Sequence, residues 1–497
     1  MNYINTLVDL FPIIICGVLI GVFKKPVWMS GAFGVIAALL TAQYKCHYEF
    51  NYSNSFEIIN TSFILSLSAV LVIIPGLYLN NVLKVSHIID EIIVWVDNIK
   101  IKKEVKVLLL ILGILPALES LTGFGVSLFL GVPLFFRMFE SKKAYKLSVL
   151  GMNAMPWGTL GLALVIGSKL SGYSLVDIAA QTAIFSSVIF PVVGCIALYI
   201  VGGFSLIKRY AYLAIIFGLL LGVMLYVFAK LNMVEISGVL AGISGTIIMF
   251  FFLRLLFKTK HNEIGKEHRF LEVMHFTFPY LLVLVLICIF KFVTPVSDFL
   301  NNAIVLRSEH MSFAPLGSPG LAFAIVVLFM LFKNSSMKLE HRIILKRGWL
   351  SGFGLFLFIL ISQIMSQTGI ITDIITIISN VKDKHIIMLI MPAIGMIGGF
   401  ITGSTVGSNA LLMHIQQQIG NNIGSGLLFS AMQNSAGGHS AMFSLSIIIM
   451  ITMIAKDYIT PQDKIDNEAF LLKFNLKCLM LLYVILVVDL FVHYFIG

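Results

Sequence analysis

Two polar, glycine-interrupted stretches lie inside sequence apolar enough to sit in lipid, and they constrain the fold more than any other feature. The first runs Leu118-Glu119-Ser120-Leu121-Thr122-Gly123-Phe124-Gly125 and resumes after Pro133 as Asn153-Ala154-Met155-Pro156-Trp157-Gly158-Thr159-Leu160-Gly161. The second runs Thr402-Gly403-Ser404-Thr405-Val406-Gly407-Ser408-Asn409 and resumes as Gln433-Asn434-Ser435-Ala436-Gly437-Gly438-His439. A backbone that leaves the helix at membrane depth has N–H and C=O groups that lipid cannot satisfy, so it survives only against protein or a wet cavity. The two stretches are therefore expected to form the two halves of one binding site.

Composition agrees with lipid as the solvent. The chain is 59% hydrophobic and 12% charged, where soluble domains are about 45–50% apolar and about 25% charged. The net charge of +10 sits in short loops, which points to membrane topology rather than nucleic-acid binding. Cys16, Cys46, Cys195, Cys288 and Cys478 are scattered, with no His at ligand spacing, so neither a disulfide frame, a metal site nor a cofactor is expected. The N-terminus lacks the basic region of a cleaved signal, and the first apolar segment is expected to be retained.

At about 20 apolar residues per crossing, the chain is expected to be an all-α polytopic membrane protein with about twelve transmembrane helices. Their centres fall near Ile15, Val35, Leu71, Leu162, Ile189, Leu219, Ile243, Leu284, Val326, Leu357, Ile447 and Val484. Two broken, re-entrant hairpins are added, at about 105–136 and 385–415. If each hairpin enters and leaves by one face, the basic loops around Lys24-Lys25, Lys100 to Lys106, Lys142-Lys143 with Lys146, Lys208-Arg209, Arg254 to Arg269 and Lys333 to Arg347 share a side, the cytoplasmic one.

Three spans, a hairpin and two spans then recur. Residues 1–203 form a first repeat, 204–270 two linking spans and a basic loop, and 271–497 a second repeat of inverted orientation, an elevator-like transporter plan. An apolar face, Val85, Ile88, Ile89, Ile92, Trp95, Val96 and Ile99, precedes the first hairpin, and Ile370, Ile371, Ile374, Ile375 and Ile378 precede the second. Both read as helices lying along the membrane surface.

Glu119 is the one acid between Glu104 and Glu140 and stands where a helix breaks. It suits a proton carrier, or a cap for the freed amides. Gly123, Gly125, Gly403 and Gly407 allow the backbone to turn beside a ligand, and a half-helix N-terminus suits a small anion. Thr122, Phe124, Asn153, Ser404, Thr405, Ser408, Asn409, Gln433, Asn434 and Ser435 offer uncharged contacts, which equally serve as interhelical glue; Trp157 suits a cavity wall or an interface anchor. His439 is the second half's ionisable group, either a proton relay or substrate contact, or a neutral packing residue. His414 and Asp489 are weaker candidates of the same kind.

At these residues the chain resembles the lactate permease family, proton-linked carriers of L-lactate and glycolate within the wider ion-transporter group. Glu119 to Gly125, Asn153 to Gly158, Thr402 to Asn409 and Gln433 to Gly438 stand where that family carries four polar motifs, in the same order over nearly the whole chain. Leu121 and Thr122 are bulkier than the family's small pair, and His439 to Ser444 replace a polar run. The resemblance implies a multi-pass plasma (inner) membrane symporter for a small monocarboxylate and protons. On that reading the carboxylate docks between Gly123-Phe124-Gly125 and Ser404 to Asn409, with Asn153, Gln433 and Asn434 reading its other polar atoms. Glu119 and His439 would couple the proton, and an oligomer is left open. The alternatives are a sodium-coupled carboxylate carrier and a membrane binding or receptor protein. No His-Glu-x-x-His, Gly-x-Ser-x-Gly or phosphate-binding loop supports an enzyme.

Overall fold

The computed structural model describes residues 3–44, 52–99, 101–123, 125–152, 156–256, 270–308, 312–334, 337–379, 383–459 and 467–496. They are helical apart from loops and one two-residue strand pair, Leu306↔Phe313 and Arg307↔Ser312. The first part holds α1 (Tyr3–Gly21), α2 (Val27–Tyr44), α3 (Tyr52–Val85) and the short α4 (Ile88–Asp97). A hairpin follows, made of α5 (Lys103–Leu109), a π-helical stretch Leu110–Ile114, α6 (Leu115–Thr122) and α7 (Val126–Met138). Next come α8 (Ser141–Met152), α9 (Leu162–Ser171), α10 (Leu175–Lys230) and α11 (Val234–Leu256).

The second part runs α12 (Phe270–Phe292), α13 (Thr294–Asn302), α14 (Gly320–Lys333), α15 (His341–Gln367) and α16 (Ile370–Ser379). A second hairpin, α17 (Lys384–Thr402) with α18 (Thr405–Asn422), leads to α19 (Gly426–Ala441), α20 (Leu445–Ala455) and α21 (Asn467–Ile496). Among the described residues ten helical runs are long and apolar enough to cross a membrane. The longest, α10, turns at Gly202 and Gly203 (φ 67°), between the segments expected around Ile189 and Leu219.

Sequence accounts for the breaks. Pro116 has no N–H and its ring crowds the carbonyl four residues back, and the turn before it widens into the π-helical stretch. α11 crosses close to this point because Gly242 faces Ala117; a Cβ on Gly242 would stand 2.6 Å from the Ala117 Cβ. Where water does not drive helix association, such small residues bring backbones into contact. The spans expected near Leu162 and Ile447 are not continuous. The first is interrupted between α8 and α9, where Gly158, Leu160 and Gly161 all have positive φ, and the second at Met442 to Ser444.

The amphipathic helices form as α4 and α16. Ile88, Ile89, Ile92, Ile93 and Val96 are buried on α4, while Asp90 and Glu91 are exposed. On α16, Ile370, Ile371 and Ile374 are buried; the side chains of Ile375 and Ile378 lie outside the described ones.

Two groups of helices are distinguishable by their packing. α1, α2, α3, α14 and α15 pack chiefly on one another, and the hairpins pack with α8 to α11 and α19 to α21. Glycines set the closest approaches within each. Gly352 of α15 abuts Val70 of α3, and Gly399 of α17 lies against the Gly437 carbonyl of α19.

Candidate functional site

The tip of the first hairpin is held open by Gly123 (φ 64°) and Gly125 (φ 78°), a backbone region costly to residues with a Cβ. Glu119, on the last turn of α6, reaches across this tip. Its Oε1 accepts from the Gly125 N–H at 3.3 Å, and its Oε2 from the Ser127 N–H at 3.3 Å and the Ser127 hydroxyl at 2.6 Å. The carboxyl group thus sits at the N-terminus of α7, where helix amides and dipole favour negative charge. The Gly125 amide, where a substrate carboxylate was expected to dock, is taken here by the chain's own acid. Thr122 turns away and donates to the Leu118 carbonyl at 2.7 Å.

The second tip is built differently. α17 ends on Gly403 (φ 63°), and Ser404 is the extended N-cap of α18, its hydroxyl accepting from the Gly407 N–H at 3.3 Å. No carboxylate caps this helix, and the Thr405 and Val406 amides have no acceptor among the described residues. α20 begins in the same manner. Ser444 is its N-cap, accepting from the Ile447 N–H at 3.4 Å and paired with the Ser446 hydroxyl at 2.9 Å. A Cβ on Gly403 would overlap the Ser446 hydroxyl, so this tip rests directly on the start of α20.

All four interruptions open on one cavity of about 540 Å³. Gly125 brings the start of α7 to it, Thr159 and Leu162 the start of α9, Ser404 to Gly407 the start of α18, and Ser446 with Ile447 the start of α20. Glu119 is its one charged lining side chain among the described residues, and no lysine or arginine lines it. Trp28, Leu355 and Phe358 close the far wall from α2 and α15. Pro26 and Leu350 also line the cavity, and Lys24, Lys25, Lys346 and Arg347, close to them in sequence, are exposed.

The cavity therefore brings together Glu119, Gly125, Gly403, Ser404, Thr405 and Gly407 of the residues singled out in the sequence. Phe124 and Asn153 lie outside the described residues. Gly123 packs against Thr159, and Trp157 is fully buried with its ring N–H unpartnered among the described residues. Ser408, Asn409, Gln433, Asn434 and Ser435 sit behind the tip in a polar seam. Gln433 donates to the Ser408 hydroxyl at 2.9 Å, and Asn409 to the Asn434 side chain at 2.6 Å and the Ala163 carbonyl at 3.0 Å. Asn434 donates to the Pro156 carbonyl at 2.8 Å, and Ser435 meets Ser186 at 3.2 Å.

His439 is buried away from the cavity, edge-on to Phe190 with centroids 5.4 Å apart, and neither ring nitrogen has a partner among the described residues. His414 joins Ser366 at 2.8 Å and the Leu170 carbonyl at 3.1 Å, and Asp489 pairs with His493 at 3.1 Å on α21. Ser120, Thr159, Thr402 and Ser446 line the cavity without having been singled out. Ser446 had a readable signal, since Ser444 and Ser446 follow a glycine pair and open an apolar run. Trp28 and Phe358 had none, because only tertiary packing brings them here.

A search of curated proteins finds no match. A family model described as L-lactate permease matches residues 5–496, nearly the whole chain.

Proposed function

Because the chain belongs to the L-lactate permease family, a family of transporters and not of enzymes, we propose that it carries a small monocarboxylate, L-lactate or glycolate, across the plasma membrane with protons. Membership implies lactate transport by a multi-pass membrane protein. The observation that carries the finer reading is the convergence of four helix N-termini on one cavity that no cationic side chain lines among the described residues. An anion there is stabilised by amides and helix dipoles alone.

On this reading the carboxylate sits at the starts of α18 and α20, whose N-caps are serines and not carboxylates, near the Thr405 and Val406 amides and the Ser404 and Ser446 hydroxyls. Glu119, which lines the same cavity, carries the proton. His439, remote from the cavity, is a packing residue of the seam. The order hairpin, interrupted span, long helix occurs twice, as α5 to α10 and α17 to α21, which supports inverted repeats over 1–203 and 271–497 joined by 204–270. The hairpin group would move against α1, α2, α3, α14 and α15.

Labelled lactate uptake into proteoliposomes tests the reading. Uptake should follow an imposed pH gradient and survive replacement of sodium by choline. Dependence on sodium at fixed pH would favour the sodium-coupled carrier instead, and binding without flux a receptor.

A further inference from the structure

The cavity is roomier and more apolar than lactate requires. Its volume of about 540 Å³ falls within the range of about 300–1,000 Å³ that holds drug-sized ligands. At about 30 Å³ per water it has room for many times the volume of a three-carbon acid. Its polar lining side chains come mostly from the helix starts and the hairpins, with Glu119, Ser404, Thr405 and Ser446 among them. α2, α3 and α15 contribute a largely apolar wall of Trp28, Ile73, Leu355 and Phe358, in which Ser351 is the polar member.

Phe358 is 1% exposed, Leu355 5% and Ile73 6%, so these side chains are anchored in packing and present only an edge to the cavity, whereas Trp28 is 36% exposed. Gly31 of α2 lies against Leu357, and Gly354 of α15 against Val27, which holds the two helices at backbone contact beside the wall. A small hydrated anion gains nothing from a rigid apolar surface, whereas an alkyl or aryl group laid on it leaves water. Leu121 and Thr122, the bulky residues near Glu119, are buried at 1% and 0% exposure and do not line the cavity, so they do not shrink it.

Resting on the transport reading above, we propose that the preferred substrates are 2-hydroxy monocarboxylates with a branched aliphatic or aromatic tail. The carboxylate binds at the starts of α18 and α20, and the tail lies along Trp28, Leu355 and Phe358, which determine specificity.

The test uses the full chain in proteoliposomes, with protein-free vesicles as the background for passive entry of neutral acid. Vesicles are loaded with lactate, 2-hydroxy-4-methylpentanoate or 3-phenyllactate, and entry of labelled lactate by exchange is followed. The tailed acids should drive exchange at least as well as lactate and half-saturate at about tenfold lower concentration. In Leu355→Trp, which fills the wall, the preference for tailed acids over lactate should fall at least tenfold, and in Leu355→Ala it should not. The ratio is taken within one preparation, so loss of folded protein cancels. Lactate–lactate exchange that no tailed acid supports, or an unchanged ratio in Leu355→Trp, overturns this inference and leaves the transport reading standing. Failure of all three acids, lactate included, overturns both.

Discussion

Glu119→Gln separates the two roles that Glu119 can play. The carboxylate takes three donors, the Gly125 and Ser127 amides at 3.3 Å each and the Ser127 hydroxyl at 2.6 Å. Glutamine keeps one acceptor oxygen and turns an NH2 group toward donors that need an acceptor, so at least one buried donor is left without a partner. That costs about 1–3 kcal/mol, and loss of a negative charge at the α7 N-terminus adds about 0.3–1 kcal/mol. The purified variant should therefore unfold at lower temperature than the wild type while remaining folded near room temperature.

In proteoliposomes, lactate–lactate exchange at equal pH should persist in Glu119→Gln, and accumulation driven by a pH gradient should disappear. Ser127→Ala removes the short hydroxyl bond but keeps the carboxyl group, so it should retain gradient-driven accumulation. Wild-type accumulation by Glu119→Gln would remove the proton-carrying role, and wild-type stability would remove the capping role.

Other positions give sharper structural tests. Gly403→Ala carries a left-handed backbone cost of about 1–2 kcal/mol plus overlap with the Ser446 hydroxyl. Gly172→Ala has a similar φ of 74° with no atom within 4 Å, so lactate uptake should fall far more in the first than in the second; equal effects would refute the close packing of tip on α20. Asn434→Ala removes one of the two acceptors of the buried Asn409 amide, leaving the Ala163 carbonyl, and takes its donor from the Pro156 carbonyl, at about 1–3 kcal/mol per unpaired group. A double-mutant cycle with Asn409→Ala should return a coupling of about 0.5–3 kcal/mol in thermal unfolding. At the exposed N-cap of α17, the hydrogen bonds from His385 hold the Asp383 carboxyl below the usual carboxylate range. A depressed folded-state pKa stabilises above the ordinary Asp value and is lost as pH falls through the lower one. Asp383→Asn should accordingly lower the melting temperature at neutral pH, with the difference vanishing in acid.

Much of the helical plan is legible in the sequence because lipid leaves few alternatives. The breaks at Gly123, Gly125 and Gly403 are visible for the same reason, since glycine tolerates the positive φ found there. The interruption at Met442 to Ser444 contains neither Gly nor Pro and is marked only by the Ser444 cap, so an unbroken span was the natural expectation. Depth along the helix, not phase, divides the second motif, since residues four apart share a face. Ser404 and Thr405 start α18 and face the cavity, while Ser408 and Asn409, one turn on, face α19. Residue type cannot distinguish a ligand contact from interhelical glue; the crossing of α18 and α19 does. The partners of Glu119 were equally hidden, because six and eight residues of separation meet only once the turn is formed.

The single charge in the cavity supplies a physical reason for coupling on the proposed scheme. Two like charges 4 Å apart repel by about 4 kcal/mol at an effective dielectric constant of about 20, roughly a thousandfold in affinity. A carboxylate entering beside an ionised Glu119 meets repulsion of this kind, and no lysine or arginine lines the cavity to offset it. If Glu119 takes a proton as the substrate enters, the loaded site and the empty, ionised site carry the same net charge. Moving either form through the bilayer then costs no extra electrostatic work, whereas a doubly charged site would bear a desolvation penalty of several kcal/mol per ion. A cationic residue placed in this wall, as in Ser351→Arg, should break the equivalence. It should raise lactate affinity, slow net accumulation, and weaken its dependence on the pH gradient; accumulation that stays fully gradient-dependent in Ser351→Arg would refute charge balance as the origin of coupling.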